Sequence, residues 1–173
     1  MVTSLKEKEG KTYVANRLAE SYALDKQKVL IINSNLRKQD ESKKKGYSDL
    51  ILEYKANTKL ENYISKYKSN VDIIYNTQVV ENPEEIIKSK NNEKLINRLS
   101  KKYNVIIFDC NNIDELNNPF NYAKYSNINL LVVEYNKIKV EEIQEQLNKL
   151  KEDNKDNKEE IKITGTVLNK IKE

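Results

Sequence analysis

At 173 residues the chain fits one domain able to bury a sizeable core; it has no run of about 18 consecutive apolar residues, which excludes a transmembrane helix, and no signal peptide is visible after Met1. The formal charge is +4, but 31 Lys and Arg nearly balance 27 Asp and Glu. Because the basic residues are spread along the chain, composition argues for solvated helix faces and against nucleic acid as a partner. A single Cys110 and 0 His leave neither an internal disulfide nor a structural zinc site, and a reducing cytoplasm is the expected compartment.

Met1–Ser4 reads as a first strand, too short to stand as a central strand with normal flanks. The chain is therefore expected to begin partway into an element, as an excised domain or truncated product would. Lys11–Leu24 reads as the first long helix. Val29–Ile32, Val71–Tyr75, Val105–Phe108, Leu130–Val133 and Ile161–Val167 are short runs rich in β-branched side chains, the pattern of strands buried on both faces. Helices are expected at Asp49–Tyr54, Leu60–Tyr67, Pro83–Lys102 and Lys139–Glu152. Pro83 suits a first helical turn, where a missing N–H costs nothing. Val140, Ile143, Leu147 and Leu150 recur at helical spacing and form one apolar face for packing on a sheet. Gln39–Gly46 is polar and expected to be mobile, and Lys151–Glu160 reads as a helix end followed by an exposed loop. This alternation predicts right-handed strand–helix–strand units in one α/β domain over 1–173, with a mainly parallel sheet and helices on both faces.

Glu9-Gly10-Lys11-Thr12 lies between the first strand and the first helix. In that place backbone N–H groups cradle phosphates, a Lys pairs with β/γ oxygens and a Thr hydroxyl reaches Mg²⁺. The full G-x-x-x-x-G-K-[ST] pattern is not met, because Leu5 holds the first Gly position. The same residues also suit a plain helix start with Gly10 in a tight turn.

Five segments carry a family resemblance. Thr3-Ser4-Leu5-Lys6-Glu7-Lys8-Glu9-Gly10-Lys11-Thr12 is similar to T-S-x-x-P-G-E-G-K-[ST], and Val29 to Lys38 (VLIINSNLRK) to V-L-L-I-D-x-D-L-R-[KR]. Asn82-Pro83-Glu84-Glu85-Ile86-Ile87 is similar to N-P-x-E-L-L, Tyr103 to Asp109 (YNVIIFD) to Y-D-x-V-I-I-D, and Gly165-Thr166-Val167-Leu168-Asn169 to G-x-V-L-N. In this order they resemble bacterial tyrosine kinases of capsular and exopolysaccharide biosynthesis, with the deviant Walker A ATPases as relatives; Lys6 falls where the latter place a signature lysine. The resemblance implies a three-layer P-loop NTPase-like fold. It implies ATP or ADP with Mg²⁺ as cofactor, held by Glu9, Gly10, Lys11, Thr12 and Tyr13, with Asn169 near the base. Thr12 and Asp109 would stand on the metal side, and Lys11 and Asp109 would carry any catalysis. It also implies a membrane-bound polysaccharide chain-length regulator or copolymerase as partner, a homo-oligomer, and a cytoplasmic chain recruited to the inner face of the membrane.

The departures bear on chemistry. Asn33 and Asn35 stand where the resembling kinases place aspartates, Glu7 and Lys8 replace the Pro and Gly of the phosphate loop, and Asp109-Cys110-Asn111-Asn112 replaces Asp-Thr-Pro-Pro. An Asn keeps a neutral carbonyl acceptor but neither carries a metal-side charge nor accepts a proton. Lys6 and Lys8 attract phosphate electrostatically, so binding is expected to survive better than catalysis. The 11 Tyr are scattered rather than clustered, and no counterpart is expected of the N-terminal helical segment that the resembling family uses for ring assembly. Two readings stay open: a degenerate kinase-like scaffold or regulatory domain, and a working kinase or ATPase that relies on Lys11, Thr12 and Asp109.

Overall fold

The computed structural model describes residues 1–41, 45–113, 119–153 and 163–171. Seven strands form one sheet: β1 (Val2–Ser4), β2 (Val29–Asn33), β3 (Ser65–Lys68), β4 (Val71–Ile74), β5 (Val105–Asp109), β6 (Leu130–Glu134) and β7 (Gly165–Asn169), in the order β3-β4-β2-β5-β1-β6-β7. Every neighbouring pair is parallel except β3 with β4. Among the described residues five α-helices accompany them: α1 (Lys11–Leu24), α2 (Tyr47–Leu52), α3 (Pro83–Lys88), α4 (Lys90–Ser100) and α5 (Val140–Asp153).

Alternation along the strands divides the core. Val29 and Ile31 of β2, Val71 and Ile73 of β4 and Ile107 of β5 pack with Ala15 and Ala19 of α1 on one face. Leu30, Ile32, Ile74 and Phe108 pack with α2, α3 and α4 on the other. β2, β4 and β5 are thus covered on both sides, as their continuous apolar runs require. The α5 face carries Ile143 and Leu147 onto Leu131 and Val133 of β6; Leu150, the fourth residue of the expected stripe, lies outside the described side chains.

Three sequence expectations are corrected. Leu60–Tyr67 is not a helix: a short 3₁₀ turn at Leu60–Asn62 leads into β3, an antiparallel edge strand on β4. Its alternating half-buried and exposed side chains suit an edge, and Asn70 at φ 58° turns the chain back into β4. Pro83–Lys102 is two helices, because Ser89 leaves the helical region (ψ 150°) and its hydroxyl accepts from Asn92 N at 3.2 Å to cap α4. The three-residue β1 does stand inside the sheet. It pairs with β5 on one side and β6 on the other, and Thr3 Oγ1 adds a bond to Asn111 O at 2.7 Å.

Other boundaries shift by a few residues. α2 begins at Tyr47 rather than Asp49, since Asp49 reaches back to accept from Gly46 N at 2.8 Å. Gly46 itself passes so close to β4 that a Cβ would lie 2.2 Å from Tyr75 O. β7 starts at Gly165, where the register with Leu130 sets in; Ile161 and Lys162 of the expected strand lie outside the described residues, as do residues 42–44 and 154–160 of the two expected loops.

Candidate functional site

The turn between β1 and α1 is braced from below. The Glu9 side chain is buried and accepts from Lys6 N at 2.8 Å and from Glu134 N at 3.3 Å, so one carboxylate ties the loop to itself and to the end of β6. Ser4 Oγ donates to Lys6 O at 2.6 Å. Gly10 sits at φ 99°, a conformation that disfavours side chains. A Cβ there would come within 2.0 Å of Asn169 Nδ2, which donates to Glu9 O at 2.8 Å. Lys8 holds a positive φ of 63° despite its Cβ, and Lys170 Nζ steadies it by donating to Lys8 O at 2.7 Å. Residues 5–10 therefore wrap the start of α1, whose first turn has neither an acidic residue nor a side-chain cap. Such a helix start offers N–H groups and a positive dipole end to an anion.

Asp109 ends β5 beside Asn33, its register partner on β2. Thr12 Oγ1 donates to Asp109 Oδ2 at 2.7 Å, while Oδ1 is buried with no partner. Burial pushes the Asp109 carboxyl up to about 6; the Thr12 bond and the Lys11 charge offset this only in part. Lys11 Nζ donates to Ser4 Oγ at 3.0 Å. A second bond set fixes the β2 and β5 ends: Ser34 Oγ and Ser34 N both donate to Asp109 O, at 2.9 and 3.0 Å. The neighbouring Cys110 thiol is buried and pushed up to about 12, so it is no nucleophile at neutral pH.

These groups line a cleft of about 280 Å³: Lys8, Gly10, Lys11, Thr12, Asn33, Asn35, Lys38, Asp109 and Cys110. The amide oxygens of both asparagines are engaged locally. Asn33 Oδ1 accepts from Asn35 N at 3.4 Å, and Asn35 Oδ1 accepts from Arg37 N at 3.1 Å. Of the residues singled out from sequence, Gly10, Lys11, Thr12, Asn33, Asn35 and Asp109 come together here. Glu9 and Asn169 lie behind the loop as braces. Tyr13 is 56% exposed, with Arg17 5.3 Å over its ring, and Lys6 pairs with Glu142 of α5 at 2.7 Å. Sequence reasoning missed Ser4, which anchors Lys11, and Lys38, which lines the cleft; the Leu36-Arg37-Lys38 run following Asn35 was the available signal for the second.

The residues present fit phosphates: a glycine turn that excludes a Cβ, a helix start, and Lys11 beside it. They do not fit a tightly held divalent cation. In a nucleotide site such an ion takes most of its oxygens from phosphate and water and one or two carboxylates from the protein; here Asp109 is the one carboxylate among the described lining residues, its Oδ2 is bonded to Thr12 Oγ1, and Asn33 and Asn35 bring no charge. Among the described residues no three His, Cys, Asp or Glu side chains converge on a metal position.

No family model matches the chain. It is 23% identical to the tyrosine-protein kinase ptk of Acinetobacter johnsonii over 94% of its own length, and spans 22% of that protein. It is 26% identical to CapB of Staphylococcus aureus, which bears the name of a tyrosine-protein kinase, over 99% of this chain and 74% of that one. Among solved structures, the VpsO kinase domain matches with a TM-score of 0.82 at 25% identity, over 98% of this chain and 83% of that one. The kinase domain of Escherichia coli tyrosine kinase ETK matches with 0.81 at 22%, over 98% and 66%. The septum site-determining protein MinD of Pyrococcus horikoshii, complexed with Mg-ADP, matches with 0.59 at 20%, over 96% and 67%. Both a likeness in sequence and a shared three-layer P-loop fold run through nearly the whole chain, and at low identity this protein resembles the bacterial tyrosine kinases.

Proposed function

We propose that this chain is a degenerate tyrosine-kinase-like P-loop domain that binds ATP or ADP weakly and acts as a regulatory or scaffold subunit in capsular or exopolysaccharide biosynthesis. The observation that carries this reading is the pair Asn33 and Asn35 in the cleft, where the resembling kinases place aspartates. Without them Asp109 is the one carboxylate among the described lining residues. General-base assistance is worth about 10²–10⁴-fold, so losing the group that would take the tyrosine proton removes chemistry while the near-isosteric amides preserve the fold. In the bound state the Gly10 turn and Lys11 hold the phosphates, and Thr12 orients toward them from the first turn of α1. The partner in this reading is a membrane-bound chain-length regulator, which recruits a cytoplasmic chain to the inner face of the membrane. No helix among the described residues is long and apolar enough to cross a membrane itself.

A second reading, a working kinase or ATPase using Lys11, Thr12 and Asp109, draws on one observation: a buried carboxyl pushed up to about 6 can exchange a proton near neutral pH. One experiment separates the two. The protein is incubated with Mg-ATP and an added tyrosine peptide, beside an Asn33→Asp/Asn35→Asp double variant. Negligible phosphorylation by the unmodified chain and a gain in the double variant support the scaffold reading. Ready phosphorylation by the unmodified chain sinks it.

A further inference from the structure

The cleft carries more positive charge than a metal-dependent phosphate site needs. Lys8, Lys11 and Lys38 line it against the single carboxylate of Asp109. Glu7 approaches Lys38 at 3.3 Å, but these side chains are 56% and 65% exposed, and a pair so solvated neutralises little. Lys8 is placed by the backbone itself: its positive φ of 63° is held by the Lys170 bond to its carbonyl.

We infer that this site binds the polyphosphate chain of a nucleotide without a divalent cation, with Lys8 and Lys38 supplying the neutralising charge. The inference rests on the nucleotide-binding reading above and deepens it. Were Asn33 and Asn35 aspartates, three carboxylates would face three lysines, and a divalent cation would be needed to reconcile them with an incoming phosphate. With two amides instead, the surplus is already cationic. A free triphosphate carries more negative charge than its cation complex, so a cleft of this polarity favours the free form. Bound Mg²⁺ would bring two further positive charges among the lysines, with Asp109 the one carboxylate among the described lining residues to offset them.

The test is calorimetric titration of the whole chain with ATP, and with inorganic tripolyphosphate, in EDTA and in excess Mg²⁺. The expected result is binding in EDTA at least as tight as in Mg²⁺ for both probes, weakening as salt is raised. A Lys8→Gly/Lys38→Ala variant should lose about tenfold in affinity in EDTA. Glycine at position 8 also relieves the positive φ, so the variant folds at least as well at that position and its loss reads as lost charge. The Asn33→Asp/Asn35→Asp variant should reverse the preference and bind ATP more tightly with Mg²⁺. Binding of ATP by the unmodified chain only when Mg²⁺ is present overturns the inference and leaves the nucleotide site standing. Unchanged affinity of the lysine variant in EDTA also overturns it. Absence of binding in both buffers removes the nucleotide reading and the inference together.

Discussion

Replacing Asp109 by Asn should stabilise this protein at neutral pH relative to its behaviour in acid. Burial lifts the folded-state carboxyl from 3.8 to about 6, and one pKa unit corresponds to about 1.4 kcal/mol. The ionised group therefore costs the native state ~3 kcal/mol once fully charged. Below 3.8 both folded and unfolded chains hold the proton, and the cost is absent. Between 3.8 and about 6 the folded chain binds more protons than the unfolded one, so this contribution makes stability fall as pH rises. Above about 6 the full cost remains. Asn retains an acceptor for Thr12 Oγ1 and never ionises, so the variant escapes this dependence. It does place an amide N–H at the unpartnered Oδ1 position, and that penalty is independent of pH. The readout is consequently the change in the stability difference between the two proteins, which cancels the titration of other carboxylates. Urea denaturation at about pH 4 and about pH 8 should show that difference moving by ~2–3 kcal/mol in favour of the variant at the higher pH. A difference that stays constant across that range would refute the reasoning, and would mean that water or a cation already solvates the carboxylate.

Two further outcomes follow from the same loop. Gly10→Ala should cost ~2–3 kcal/mol, combining left-handed backbone strain with loss of the Asn169 bond to Glu9 O; a loss under ~1 kcal/mol in urea denaturation would show that the turn reshapes without strain. Lys11→Ala should weaken ATP binding about tenfold or more by removing a charge-assisted contact, and unchanged affinity on titration would move the site elsewhere.

Much of the architecture is local and was readable from the chain. The bounds of α1 agree with its sequence pattern, and β2, β4, β5 and β6 match their β-branched runs to within a residue. A strand buried on both faces must be apolar at every position, and no partner need be known to see it. Gly10-Lys11-Thr12 was legible for a similar reason: a glycine before a helix start states its own backbone requirement.

What the tertiary structure alone decided is long-range. Ser65–Lys68 has no strong preference of its own, and becomes a strand because β4 offers an unpaired edge. β1 stands in the middle of the sheet with three residues because β5 and β6 pair with it from both sides. The Thr12–Asp109 bond joins residues 97 positions apart, and the Asn169–Glu9 bond joins residues 160 apart. No periodicity encodes either. Asp109 acquires its raised proton affinity from burial, against the Thr12 bond and the Lys11 charge that lower it, and Lys8, Lys11 and Lys38 become one cationic cleft because the fold brings the ends of β1 and β2 together at the start of α1. Spacing along the chain identifies the groups; only packing sets their distances and their dielectric surroundings, and these determine what the groups can bind.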